Sequence, residues 1–221
     1  MADGALASAA AAKQISLDDL DIAVIIPCMN EEIAIGGMVR KLRELLPHSR
    51  IFVYDNNSTD DTVGEAERAG AIVRREKRQG KGFVVRRMFA DIDADIYMMV
   101  DGDNTYDIDA APKLIQTLVD DGLDMVNGAR KAVVEEAYRP GHAMGNKVLT
   151  EIMRRLFGKG FSDIFSGYRI FSRRFVKSFP VMSRGFEIET ELTVHALELE
   201  MPFDEIETDF RDRPSGSESK L

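Results

Sequence analysis

One cysteine, no tryptophan, seven prolines and three histidines among 221 residues already close several routes. A lone thiol, Cys28, permits no internal disulfide, so a stapled extracellular scaffold is out and a reducing, cytoplasmic setting is expected. His48, His142 and His195 are scattered, and no spacing of His, Cys and acids reads as a zinc site. No apolar run approaches the roughly 20 residues that cross a bilayer; IAVIIPCM at 22–29 falls well short. The first residues also lack the charged-then-apolar layout of a secretory signal. Positive charge is in deficit. Lys and Arg number 29 against 38 Asp and Glu, a net charge of −9, whereas a chain that grips a nucleic-acid backbone carries the opposite excess. What remains, 44% hydrophobic and 30% charged, is the composition of one globular α/β domain, too short for two.

The charge is unevenly spread. Positions 130–177 hold eleven Lys/Arg (130, 131, 139, 147, 154, 155, 159, 169, 173, 174, 177) against four acids (135, 136, 151, 163), a local +7 that leaves −16 elsewhere. Such a run is either a solvated face or a site for an anionic substrate or membrane surface.

Residues 1–16 are Ala-rich without periodicity, and residues 1–20 are expected to be a disordered leader ahead of a domain spanning 21–221. Short apolar runs at 22–26, 51–55, 71–75, 96–101 and 124–128 read as buried strands. Helical patterns lie between them at 31–46, 60–69, 82–92 and 108–119, bounded by Pro47, Gly70 and Gly122. Five strand–helix repeats predict a mostly parallel, Rossmann-like sheet with helices on both faces. After Gly128 a polar loop at 130–142 is expected, then an amphipathic helix at 146–157, a strand at 168–172, a helix at 189–199 and a final strand at 203–210.

In open α/β sheets the ligand sits beyond the carboxyl ends of the strands. The first strand ends in Pro27-Cys28-Met29-Asn30-Glu31, the second in Asp55-Asn56-Asn57-Ser58-Thr59-Asp60, the fourth in Asp101-Gly102-Asp103-Asn104. Each cluster alone could be a cap or a turn. Three polar clusters on one edge point instead to a site, with Asp101 and Asp103 spaced to approach one hard cation, Mg²⁺ or Mn²⁺, alongside substrate phosphates. Lys81, between Gly80 and Gly82 at a helix start, favours an anion. The Gly-x-x-x-x-Gly-Lys-Ser/Thr spacing and a strand-linked Gly-x-Gly-x-x-Gly are both lacking, which argues against ATP hydrolysis and nicotinamide chemistry.

These segments carry a resemblance. VIIPCMNEE, YDNNSTDDT, GKG, VDGDNTYD, NGAR, DIFSGYRIFSR, GFEIETEL and RPSGSESKL, in that order from about Asp21 to Leu221, resemble the family 2 glycosyltransferases of the GT-A type. The branch is the one similar to dolichyl-phosphate mannose synthase and bacterial polyprenyl-phosphate glycosyltransferases. The resemblance implies that Pro27, Asn30, Glu31 and Asp55 hold the nucleoside of a UDP- or GDP-linked sugar, with Lys81 and Gly102 nearby. It implies that Asp101 and Asp103 bind the donor and its divalent ion, and that Arg213, Ser219 and Lys220 close over the diphosphate. Arg130, Arg139, Asn146 and Ser166 then hold the acceptor phosphate in the basic region, while Asp163, Gly167 and Arg169 line the reaction centre. Asn56-Asn57 stands where many members read Asp-Gly, and Gly102 where Ala is frequent, the latter an exchange expected to be harmless.

The implied reaction is an inverting, metal-dependent sugar transfer to a polyprenyl phosphate by an enzyme peripheral to the inner face of the membrane. The acceptor phosphate is already ionised, so no strong general base is required, and the arginine fork suits its oxygens. A transferase acting on a sugar hydroxyl of an envelope glycan, with Asp163 or Glu187 as base, remains an alternative. So do a sugar nucleotidyltransferase and a non-catalytic nucleotide-sugar module. Glu187 or Glu189 either contacts the donor sugar or complements a helix dipole. The sugar, the base and the oligomeric state are not legible in the sequence.

Overall fold

The computed structural model describes residues 16–132 and 161–216. Among these residues seven strands form one sheet: β1 (Ile22–Cys28), β2 (Arg50–Asp55), β3 (Ile72–Arg75), β4 (Ile96–Met99), β5 (Met125–Ala132), β6 (Arg169–Ser172) and β7 (Phe203–Phe210). Among the described residues six α-helices accompany them: α1 (Glu32–Leu45), α2 (Thr62–Arg68), α3 (Lys81–Asp91), α4 (Ala111–Asp120), α5 (Arg173–Ser178) and α6 (Ile188–Glu198). The strand order is β3-β2-β1-β4-β6-β5-β7, with every neighbouring pair parallel except the two made by β6.

β1 is apolar at almost every position because both faces of the sheet are covered. Val24 and Ile26 join Ile35, Leu42 and Leu114 on one side. Ala23 and Ile25 face Val85, Met88, Phe175 and Leu192 on the other. The period-two alternation of a strand thus splits one apolar run between two cores. The chain leaves β1 toward β2 and β3, then returns to add β4 on β1's other side, so a switch point opens at the carboxyl ends of β1 and β4.

Three expectations need correction. The leader does not extend to residue 20: Leu17–Asp19 form a 3-10 turn, the Ser16 hydroxyl accepts the Asp18 N–H, and Leu17 and Leu20 pack on the core. The strand expected to stop at Gly128 continues to Ala132, where a polar loop was predicted. An unbroken parallel ladder with β7, from Met125 against Phe203 to Ala132 against Phe210, holds it there. β6 is antiparallel and inserts between β4 and β5, so the fourth and fifth strand–helix repeats are not neighbours. α5 follows β6 directly, capped by the Ser172 hydroxyl on the Phe175 N–H. The amphipathic helix at 146–157 and most of the loop before it lie outside the described residues. Among the described residues no helix is long and apolar enough to cross a membrane.

Candidate active site

A cavity of about 290 Å³ opens at the switch point. Pro27 and Cys28 at the end of β1 and Met29 and Glu31 just beyond it line the cavity, with Asn56 after β2, Gln79 to Lys81 at the start of α3, and Asp101 to Asp103 after β4. Phe186 and Arg213 come from further along the chain.

The loops are held by their own polar side chains. Asn56 Nδ2 donates to the Glu76 and Arg78 carbonyls, both at 2.8 Å, and its Oδ1 accepts the Gly80 N–H at 2.8 Å. Asn57 adds a bond to the Lys77 carbonyl and adopts φ 67°, the left-handed conformation that asparagine tolerates well. The pair that departs from Asp-Gly therefore staples the loop leading to Lys81. Gly80 and Gly82 leave room for another backbone: a Cβ at either would lie 2.2 Å from the Arg184 oxygen or 2.3 Å from the Ser183 oxygen. The Gly82 N–H donates to the Arg184 carbonyl, and the 183–184 segment closes over the start of α3.

Buried charge dominates the cavity. Lys81 Nζ lies 2.5 Å from Asp101 Oδ1 and 2.5 Å from Glu189 Oε1. Arg213 bridges Asp103 Oδ2 at 2.7 Å and Glu31 Oε1 at 3.1 Å. Burial, then the Asp103 and Glu189 carboxylates, push the Asp101 carboxyl above its ordinary value despite Lys81. Burial works against the Lys81 ammonium, but Asp101 and Glu189 outweigh it and hold the charge firmly on. Asp101 rests against backbone: a Cβ on Gly167 would lie 2.3 Å from Asp101 Oδ2, and the Gly167 N–H donates to the Tyr106 hydroxyl. The 163–167 loop is fixed from below by Arg169, fully buried, which donates to the Ser166 and Ile164 carbonyls and to Thr193 Oγ1 on α6.

Of the residues expected at the site, Pro27, Glu31, Lys81, Asp101, Gly102, Asp103 and Arg213 share the cavity. Asn30 and Asp55 do not line it. Their side chains shape the adjoining turn, Asn30 Oδ1 accepting from the Thr59 N–H and Asp55 Oδ1 from the Ser58 N–H. Ser166 turns its hydroxyl to the Gly128 carbonyl, and Arg169, the first residue of β6, is fully buried and does not line the cavity. Arg130 grips Asp163 with a two-pronged contact of 2.7 and 2.8 Å. Burial would raise the Asp163 carboxyl, but Arg130 holds it below its usual range. Glu187 accepts the Arg184 and Gly185 N–H groups and does not reach the cavity. Arg139, Asn146, Ser219 and Lys220 lie outside the described residues. The exchange at Gly102 is not neutral in this context, since a Cβ there would sit 2.3 Å from Cys28 Sγ. Cys28, Met29, Gln79, Val84 and Phe186 also line the wall; they carry no charge pattern that sequence reasoning could have flagged.

A model of the family described as Glycosyl transferase family 2 matches residues 23–179. The chain belongs to glycosyl transferase family 2. Protein RfbJ of Shigella flexneri is 52% identical over 123 residues, 55% of this chain and 95% of that protein. Glycosyltransferase AglJ of Haloferax volcanii is 34% identical over 206 residues, 90% of this chain and 66% of that one, so the chain spans about two thirds of AglJ. A dolichyl-phosphate hexose transferase of the same organism is 29% identical over 153 residues, 69% of this chain and 67% of that protein. Among solved structures, glucosyl-3-phosphoglycerate synthase from Mycobacterium tuberculosis in complex with Mn²⁺ and UDP-glucose superposes with a TM-score of 0.69 at 25% identity, over 90% of this chain and 75% of that one. Membership makes this chain an enzyme of the glycosyl transferase class with the GT-A fold, and removes the nucleotidyltransferase alternative. In this family 2 chain no group of three His, Cys, Asp or Glu is arranged around a metal among the described residues. The protein offers two carboxylates, Asp101 and Asp103, in a cavity with an excess of negative groups. That donor set suits a hard cation whose other ligands are phosphate and water oxygens.

Proposed function

We propose that this glycosyl transferase moves a sugar, with inversion, from a UDP- or GDP-linked donor to the phosphate of a polyprenol at the inner membrane face, using Mg²⁺ or Mn²⁺. The observation that carries the reading is the convergence of Asp101, Asp103, Lys81 and Arg213 on one cavity at the switch point. Departure of a nucleoside diphosphate develops negative charge that needs preorganised positive partners. Asp101 and Asp103 would hold a divalent ion, which would supply Lewis-acid stabilisation of that charge when bound. Lys81 and Arg213 add two cations of the chain's own, and Pro27, Glu31 and Asn56 form the wall against which the nucleoside lies. The Mn²⁺ and UDP-glucose bound by the mycobacterial synthase support the donor half, and the relative named dolichyl-phosphate hexose transferase supports the acceptor half.

The acceptor side is Arg130, with Arg139 and Asn146. Asp163 orients Arg130 through the two-pronged contact and is held ionised by it, so its carboxylate is committed. This arrangement counts against Asp163 as general base for a sugar hydroxyl, and Glu187 is spent on its own turn. An ionised phosphate needs no such base. The test is a panel of UDP- and GDP-sugars with Mg²⁺ or Mn²⁺ and a short polyprenyl phosphate. A lipid-linked sugar phosphate is expected, lost in Arg130→Ala; transfer to a sugar hydroxyl with no lipid product overturns the acceptor assignment.

A further inference from the structure

We propose that Glu189 is a positioning residue for Lys81, taking over its ammonium when Asp101 is taken up as a metal ligand. The proposal rests on the metal-dependent reading above. Lys81 is 7% exposed at its side chain and touches two carboxylates at equal distance, Asp101 in the metal pair and Glu189 outside it. A buried ammonium that lost its sole counter-ion would resist that loss strongly, and would compete for Asp101 with any incoming cation. Because Glu189 already holds the same ammonium, Asp101 can be released with Lys81 still paired. Glu189 is itself fixed: it is 6% exposed in the first turn of α6, and its carbonyl accepts from Thr193 Oγ1, which also receives Arg169.

The second aspartate repeats the arrangement. Arg213 is shared between Asp103, inside the metal pair, and Glu31, outside it. Each aspartate thus has a cation of the chain's own, and each cation a second, buried carboxylate. A role confined to the donor sugar or to the helix dipole would not require Glu189 to meet Lys81 at all.

Mn²⁺ affinity, read by titration in electron paramagnetic resonance with whichever of UDP or GDP binds it more tightly, separates these roles in a double-mutant cycle. Glu189→Gln in the native background leaves Lys81 on Asp101 alone and is expected to weaken Mn²⁺ about tenfold. In a Lys81→Met background the same change is expected to shift affinity less than about twofold. Glu189→Asp keeps the charge but shortens the reach, and is expected to weaken Mn²⁺ by about threefold with Lys81 present and not in its absence. It carries the comparison if circular dichroism shows Glu189→Gln unfolded. Equal losses in both backgrounds, or none in either, overturn the proposal while leaving the metal reading intact. A native enzyme that binds no Mn²⁺ overturns both.

Discussion

At the residue scale, Asp101 is set less by its own loop than by what lies against it. Gly167 presents bare backbone to the Asp101 carboxylate, and no side chain fits between them. Gly167→Ala is therefore expected to move Asp101 by a fraction of an ångström to an ångström, because the Tyr106 hydroxyl and the Arg169 bonds hold the loop from behind. Misplacement on that scale costs about 10²-fold in turnover, while the overpacking costs about 1–3 kcal/mol of stability. Steady-state kinetics beside urea unfolding check this; unchanged kcat/KM in a folded variant removes Gly167 from the positioning of Asp101. Asp101, Asp103 and Lys81 were legible in the sequence because charge at strand ends and helix starts is conspicuous, whereas Arg213 came only from the resemblance of the closing segment. Asn30 and Asp55, given a nucleoside-binding role only by the resemblance, shape the turn beside the cavity, and spacing alone does not tell a polar side chain that holds a turn from one that binds a ligand. Arg169, which only the resemblance set at the reaction centre, is a buried cation that anchors the Ser166 and Ile164 carbonyls.

At the scale of elements, His195 on α6 meets α5 and the residue after it. Its ring packs edge-on against Phe175 and Phe179, with centroids 5.3 and 5.0 Å away, and its Nε2 lies 3.1 Å from Ser178 Oγ. Burial among these rings lowers its pKa below the ordinary 6.5, with Glu191 opposing weakly. An unfolded chain then binds a proton that the folded one refuses, so stability is full above pH 6.5 and falls as the pH drops through that value. Chemical denaturation between pH 7.5 and about 5 is expected to show this loss, and His195→Gln to flatten it; an equally steep decline in the variant removes His195 as its source. The helices were readable because a three-and-four apolar period is local information. α5 was not, being six residues with too few turns to display a period. β5 was cut short because Arg130 and Lys131 look like loop, and the ladder that keeps them extended comes from β7.

At the scale of the whole molecule, the cavity is assembled from segments far apart in the chain. Arg213 joins Glu31 at the end of β1 to Asp103 after β4, and Glu189 reaches back from α6 to Lys81 on α3. The first four strands, with their parallel order, follow from alternating strand and helix patterns. The antiparallel insertion of β6 does not, because a four-residue apolar strand carries no mark of its direction or its neighbours. The consequence is that donor binding engages both ends of the described chain and must appear as global stability. A nucleoside diphosphate with Mn²⁺ at about 100 times its Kd adds about 2.7 kcal/mol. For a chain of this length each kcal/mol raises Tm by about 2–4 °C, so the shift expected is about 5–10 °C. On the proposed donor site, Arg213→Ala would remove one cation facing the diphosphate, and it removes the link between Glu31 and Asp103. It is expected to weaken binding about tenfold, or 1.4 kcal/mol, and so to halve the shift at the same ligand concentration. Asp103→Asn is expected to remove most of the shift, and Mn²⁺ without nucleotide to give little of it. Thermal scans of the three proteins decide: a full shift retained in Arg213→Ala would mean that the arm after β7 packs beside the donor site without holding the donor.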